Sequence, residues 1–325
     1  MTFTRRDFGK LAVAALPAAS LLAKPNSKFN GVQIGTITYS FRALPGTADD
    51  ILKYCVELGI NSIELLGDVA ESYAGAPSSG RGRGPGGPGG PGGRGPGPGR
   101  RPPLTPEQQE ATRKAAEERK NWRLSVSMDK YKAFRAMYND AGVRIDIFKL
   151  PLLASMSDDE YDYVFQVAKA LGANNITMEL PTDEMLTKRA GQFADKHKIY
   201  IGYHNHTQVN EHSWDTALEL SKYNTINLDV GHFTEAINAS PIPFIRQHHG
   251  RITSFHLKDK KYGSHGGGNT PWGQGDTPLK EILQLMAKEK YKWPANIELE
   301  YDIPEGSGVM AEMAKCVQFC KDALS

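Results

Sequence analysis

The sequence has little cysteine, no large charge of either sign and no apolar run long enough to cross a bilayer. Three cysteines in 325 residues make no disulfide framework. Cys55 lies in a predicted helix, and Cys316 and Cys320 sit one turn apart on the last helix, near the long limit for bridging, so all three are expected to pack helices. Thirty-nine basic against 37 acidic side chains leave a net charge of +2. The excess falls in the amino-terminal segment and a low-complexity stretch, so the rest carries no basic stripe for a nucleic-acid partner. Gly266-Gly267-Gly268 has no P-loop pattern and cradles no nucleotide. Leu11 to Ala23, although apolar, is too short for a stable span.

What is present begins with Thr4-Arg5-Arg6-Asp7-Phe8-Gly9-Lys10, which resembles a twin-arginine export signal and precedes that apolar run. Residues 1–24 are therefore set aside as a signal peptide. The resemblance implies the twin-arginine export machinery as a partner, a periplasmic or exported protein, and no membrane span once the signal is removed. That route carries folded proteins, which suits a chain that takes up metal in the cytoplasm.

Residues 30–325 have the length of one catalytic barrel domain. Within it, 68–123 breaks the pattern, and 78–103 is almost entirely Gly, Pro and Arg. Such a stretch buries too little apolar surface to order itself and is expected to be a loop. Arg81, Arg83, Arg94, Arg100 and Arg101 would either attract an anionic partner or belong to a tolerated insertion.

Elsewhere strands and helices alternate. Strands are expected at Val32–Tyr39, Asn61–Leu66, Val143–Leu150, Asn174–Glu179, Ile199–His206, Ile226–Val230, Ile252–Lys258 and Ile297–Tyr301. Helices are expected at Asp49–Leu58, Thr105–Lys120, Tyr131–Asp140, Asp158–Leu171, Glu184–His197, Trp214–Ser221, Ile242–His248, Leu279–Glu289 and Val309–Leu324. This order predicts a single α/β (β/α)8 TIM barrel with an insertion after the second strand.

Five of the strands end in residues that bind divalent metals: Glu179, His204 with His206, Asp229 with His232, His256, and Glu298 with Glu300. Parallel barrel strands bring their carboxyl ends to one mouth, so these residues can surround a single ion, and the donor mixture suits Mn, Mg, Co or Zn. Tyr39 ends the first strand at the same mouth. Glu64 either reaches the mouth or pairs inside the barrel.

Several motifs resemble the xylose isomerase-like TIM barrels, the sugar phosphate isomerase/epimerase superfamily. They are Asn227-Leu228-Asp229-Val230-Gly231-His232, Ser254-Phe255-His256-Leu257-Lys258-Asp259, Trp272-Gly273-Gln274-Gly275-Asp276, and Tyr291 followed seven residues later by Glu298. The resemblance covers roughly residues 30–322 and implies a divalent metal held by Asp229, His256 and Glu298 with one further ligand. Where the family carries a glutamate on the fifth strand, this chain has Tyr203-His204-Asn205-His206, so the fourth ligand is His204 or Glu179. Of the two neighbouring histidines, one would bind metal and the other act as acid or base. His232 corresponds to a substrate-binding histidine or serves as a hydrogen-bond partner of the site. Lys258 either stabilises a developing oxyanion or forms a salt bridge to Asp259 or Glu300. Glu300 would support Glu298, and Trp272 would offer a face to a sugar ring. Tyr262 stands where the family has an arginine, which weakens recognition of a phosphate.

The resemblance implies a metal-dependent isomerase or epimerase that moves a proton on a sugar or keto-sugar through an enediolate-like intermediate, with Glu298, His204, His206 and Lys258 as the reactive groups. The altered fourth ligand leaves room for a lyase, dehydratase or hydratase acting on an oxidised sugar or inosose. A noncatalytic exported carbohydrate-binding barrel is a third class, and oligomerisation is left open.

Overall fold

Short Ile- and Val-rich segments become parallel strands because both of their faces are covered, one by helices and one by the barrel interior. The structure, a computed structural model, describes residues 24–77 and 105–325. Residues 1–23 of the expected signal and the 78–103 segment with its five arginines lie outside the described residues.

The barrel strands are β1 (Val32–Ile37), β2 (Ser62–Leu66), β3 (Arg144–Lys149), β4 (Asn175–Glu179), β5 (Tyr200–His204), β6 (Asn224–Asp229), β7 (Ile252–Leu257) and β8 (Ala295–Ile297). Each pairs in parallel with its neighbour, and the β1–β2 and β1–β8 pairings close the cylinder. Lys28–Phe29 adds a short antiparallel strand to β1. Around the barrel lie α1 (Ala48–Glu57), α2 (Gly67–Tyr73), α3 (Pro106–Ser125), α4 (Asp129–Asp140), α5 (Asp158–Leu171), α6 (Glu184–His197), α7 (Asp215–Leu220), α8 (Val230–Ile237), α9 (Ile242–His248), α10 (Leu279–Glu289) and α11 (Val309–Ala323). Thr47 and Ser157 close capping boxes at the starts of α1 and α5. The three cysteines are buried and free. Among the described residues, no helix is long and apolar enough to cross a membrane.

Four expectations are corrected. Strand β5 ends at His204 rather than His206, and β8 ends at Ile297, so Glu298 and Glu300 lie on the segment beyond it. Helix α2 follows β2 directly, where the sequence pattern was read as broken. Helix α8 follows β6 without a loop, because the Asp229 side chain caps it by accepting the His232 N–H at 2.7 Å.

The barrel interior is polar. On β6 the alternate residues Thr225, Asn227 and Asp229 share one face. Thr225 Oγ1 lies 2.8 Å from Thr253 Oγ1, and Asn227 Nδ2 donates to Ser254 Oγ at 2.6 Å. A register shift between β6 and β7 lets the consecutive Thr253 and Ser254 both find these partners.

Helix α3 has no fully buried residue; its half-buried Trp122 meets Tyr163 of α5 with ring centres 6.3 Å apart, and two of its arginines sit on a buried carboxylate. Glu71 of α2, 2% exposed, accepts from Arg119 Nη1 at 2.6 Å and Arg123 Nε at 2.8 Å. Arg123 also approaches Glu160 at 3.5 Å, and Tyr163 Oη donates to Glu71 at 3.1 Å. Removing one partner strands the other charge. Glu71→Ala should therefore destabilise the protein by about 3 kcal/mol, the scale for a broken buried ion pair. Urea denaturation checks this, and an unchanged midpoint would refute the clamp.

Candidate metal centre

Four side chains from consecutive barrel segments meet at the carboxyl-terminal mouth. His204 ends β5, Asp229 ends β6, His256 lies on β7 and Glu298 follows β8; their ligand atoms all lie within 4.8 Å of one another. The strand register produces this, since Asp229 pairs with His256 across β6 and β7. All four are buried.

Each is oriented from behind. His204 Nδ1 lies 2.7 Å from Asn227 Oδ1, and the Asn227 amide nitrogen is already committed to Ser254. The imidazole proton therefore sits on Nδ1 and leaves the Nε2 lone pair as the available ligand atom. Asn205 holds Asp229 through the backbone, accepting its N–H at 2.9 Å and donating to its carbonyl at 3.2 Å. His256 stands between two carboxylates, with Nδ1 2.8 Å from Glu298 Oε2 and Nε2 2.8 Å from Glu64 Oε2.

Lys258 crosses in front of the group. Its Nζ lies 3.0 Å from Asp229 Oδ2, 3.0 Å from Glu298 Oε2 and 2.5 Å from Glu300 Oε2. Of the two salt-bridge partners considered for Lys258, Glu300 is the one it meets. Asp259 instead accepts the backbone N–H groups of Gly273, Gln274, Gly275 and Thr277 and so folds the Trp272 loop. Gly231 makes room for Lys258: a Cβ there would lie 2.5 Å from Lys258 Cγ and 2.6 Å from its carbonyl oxygen. His232 Nε2 lies 3.2 Å from Lys258 Nζ and must accept, which puts the ring proton on Nδ1, a buried atom with no protein partner.

Burial suppresses charge at His204, His232 and Asp229, whereas opposite charges overcome it at His256 and Glu298. Burial lowers the His204 and His232 pKa values well below the usual range, helped by Lys149 for His204 and by Lys258 for His232. Burial also opposes the charge of His256, but Glu64 and Glu298 outweigh it and push its pKa up to about 10. Burial pushes the Asp229 carboxyl up to about 6, against the pull of Lys258 and with the push of Glu298. Glu298, although buried, is held well below the carboxylate range by Lys258 and His256.

Glu179 stands apart from the four. Its side chain is 49% exposed, and its oxygens are taken by Lys149 at 3.1 Å and His206 Nε2 at 2.9 Å. Glu179, His204 and His206 form a second potential ligand group, but His204 has only Nε2 to offer and cannot serve two ions. The His206 ring lies 4.9 Å from that of His232. Tyr39 sits on the turn after β1 beneath Arg42, whose guanidinium is 4.6 Å from the ring centre.

One expected substrate contact is corrected. Glu64 has 0% exposure and lies inside the barrel beneath His256, so it pairs there instead of facing the mouth. Trp272 is half-buried and meets Phe319 of α11 at right angles, with centroids 5.5 Å apart. Sequence reasoning missed Asn205, Asn227, Asn296 and Lys149. Strand parity was the available signal, since Asn227 and Asn296 each lie two residues before a candidate ligand.

The donor set fits a divalent cation. It combines imidazole nitrogens with carboxylate oxygens, and buried Asp229 Oδ2 accepts no well-formed hydrogen bond despite the nearby ammonium.

The family profile described as a xylose isomerase-like TIM barrel matches residues 93–319. No curated protein matches the chain. Among solved structures, the probable 3-DHS dehydratase AsbF of Bacillus anthracis is 16% identical with a TM-score of 0.59, covering 88% of this chain and 99% of its own. A sugar phosphate isomerase/epimerase from Parabacteroides distasonis is 16% identical with a TM-score of 0.56, covering 89% and 95%. The 3-keto-D-glucoside 4-epimerase YcjR of E. coli is 9% identical with a TM-score of 0.55, covering 90% and 99%. At these identities the likeness is one of fold.

Proposed function

The chain belongs to the xylose isomerase-like TIM barrel family, and from its site we propose a divalent-metal-dependent enzyme that isomerises or epimerises a sugar or keto-sugar. The observation that carries this is the meeting of His204, Asp229, His256 and Glu298 at the mouth, with Lys258 and His232 beside them. The names of fold neighbours, a keto-glucoside epimerase and a dehydratase, suit the same class of chemistry.

A divalent ion held by those four residues would polarise a sugar carbonyl and acidify the adjacent C–H. The protein's own groups do the rest. Glu298, kept ionised by Lys258 and His256 despite its burial, takes the proton from carbon and returns it. Lys258 donates to the oxygen on which charge develops, and Glu300 keeps its ammonium in place. His232 offers Nδ1–H to a sugar oxygen. His206 and Tyr39 face the substrate at the rim.

A second reading is elimination of water from an oxidised sugar. It is favoured by His204 standing where the family's fifth strand carries a glutamate: one carboxylate with an ammonium on the same side is suited to removing a proton and assisting a leaving hydroxyl.

Incubating metal-loaded protein with ketoses and keto-sugars in deuterium oxide separates the two. An isomer of unchanged formula carrying carbon-bound deuterium is expected; a product lighter by one water would establish the second reading. Neither exchange nor product across the panel would sink both.

The ligand assignment has its own check. His204→Ala and His256→Ala should each weaken Mn2+ binding by more than the roughly 10–100-fold typical of outer partners, whereas Glu179→Gln should leave it within about twofold. Stoichiometric metal in His204→Ala together with loss in Glu179→Gln would move the fourth ligand to β4.

The paired Arg5 and Arg6 support export of the folded, metal-loaded protein. Replacing both by lysine should retain it in the cytoplasm on cell fractionation, and unchanged export would remove the twin-arginine route.

A further inference from the structure

We propose that Glu64 is the positioning residue of the metal centre, holding the His256 imidazole so that Nδ1 faces Asp229 and Glu298. The proposal rests on the metal-centre reading above and extends it to a residue that no ligand in the mouth can touch. Glu64 has 0% exposure, and every partner it has is a donor. Its Oε1 accepts from Thr177 Oγ1 at 2.6 Å, and its Oε2 accepts from Asn296 Nδ2 at 3.2 Å and His256 Nε2 at 2.8 Å. A carboxylate so supplied is acceptor-only, so the proton on that side of His256 stays on Nε2, and Nδ1 is the nitrogen that would give up its proton to bind a cation. Nδ1 is the nitrogen turned to Glu298, at 2.8 Å.

Four strands converge on this carboxylate: β2 carries it, and β4, β7 and β8 supply Thr177, His256 and Asn296. The surroundings are shaped for it as well. A Cβ at Gly35 would lie 2.2 Å from Asn296 Oδ1, so β1 leaves position 35 without a side chain where the amide passes. Stability alone is a poor reason to build such a group, because a buried ion pair is often matched or bettered by apolar residues of similar volume. Orientation of a ligand is a sufficient one: carboxylates behind metal-binding histidines set the tautomer and the ring plane.

The test is Co2+ affinity by calorimetry, with the visible spectrum of the bound ion, on the full-length protein. Glu64→Gln should weaken binding by roughly 10–100-fold and alter the spectrum. Glu71→Gln, at another buried carboxylate whose partners are Arg119, Arg123 and Tyr163 and none of the four ligands, serves as a control: it should lower thermal stability while leaving Co2+ affinity and spectrum unchanged. A folded Glu64→Gln protein with wild-type affinity and spectrum overturns the proposal. Should that variant fail to fold, Thr177→Val keeps the carboxylate but strips one of its donors. A severalfold loss of affinity then supports the assignment, and unchanged affinity overturns it. Absence of Co2+ binding by the wild type defeats the metal-centre reading itself, and this proposal with it.

Discussion

One imidazole held between two buried carboxylates is the constraint on which the rest of the site depends. His256 links Glu64, inside the barrel, to Glu298 at its mouth. An unpaired carboxylate at either depth would carry a large desolvation cost. The barrel interior is accordingly filled by hydrogen-bonding side chains in place of the branched apolar layers common in this architecture. Thr177 and Asn296 satisfy Glu64, while Asn227 satisfies both His204 and Ser254. A polar core of this kind fixes rotamers as well as positions, because each member has few alternative partners.

That division explains what the sequence could and could not reveal. The barrel was legible because its strands are short Ile-rich runs and several helices stop at glycines: Gly59, Gly142 and Gly172 have φ of +71°, +86° and +83°. Helices that end instead at Lys198, Asn238 and Lys290 in the same left-handed region carry no such mark. Helix α8 was hidden because its cap, Asp229, is also the last residue of β6. Asp229, His256 and Glu298 could be picked out because each lies at or just past a strand end in a distinctive motif. The choice between Glu179 and His204 could not be made, since they are register partners on adjacent strands and only side-chain direction separates them. For Glu64, strand parity indicates the interior but says nothing about depth along the barrel axis.

Replacing a carboxylate by His204 changes the symmetry of the mouth. With glutamates on both sides, either could lose or gain a proton, which suits inversion at a carbon. Here His204 is committed by Asn227 to a single tautomer and by burial to neutrality. It can hold an ion but is poorly placed to exchange protons. The groups that remain for proton transfer are Glu298, Lys258 and Glu300 on the β7 and β8 side and His232 at the start of α8, after β6. Clustered in this way, these groups would suit transfer of a proton between neighbouring atoms of a sugar, as proposed above, and also loss of a hydroxyl.

Charge completes the picture. Glu64, Asp229, Glu298, Glu300 and Glu179 bring carboxylates to the barrel mouth and its floor, against the ammonium groups of Lys258 and Lys149. The lysines leave an excess of negative charge in a site where low dielectric magnifies each unpaired ion. Some of it is met locally, since the hydrogen bond to Glu179 raises the His206 pKa and favours its charged form. His256, whose pKa Glu64 and Glu298 push up to about 10, meets part of the charge at the floor, and the rest lies with Asp229 and Glu298. A divalent cation held there would supply the missing positive charge and, on the function proposed above, would free Lys258, with Glu300 beside it, to act on the substrate instead of serving only to neutralise the ligands.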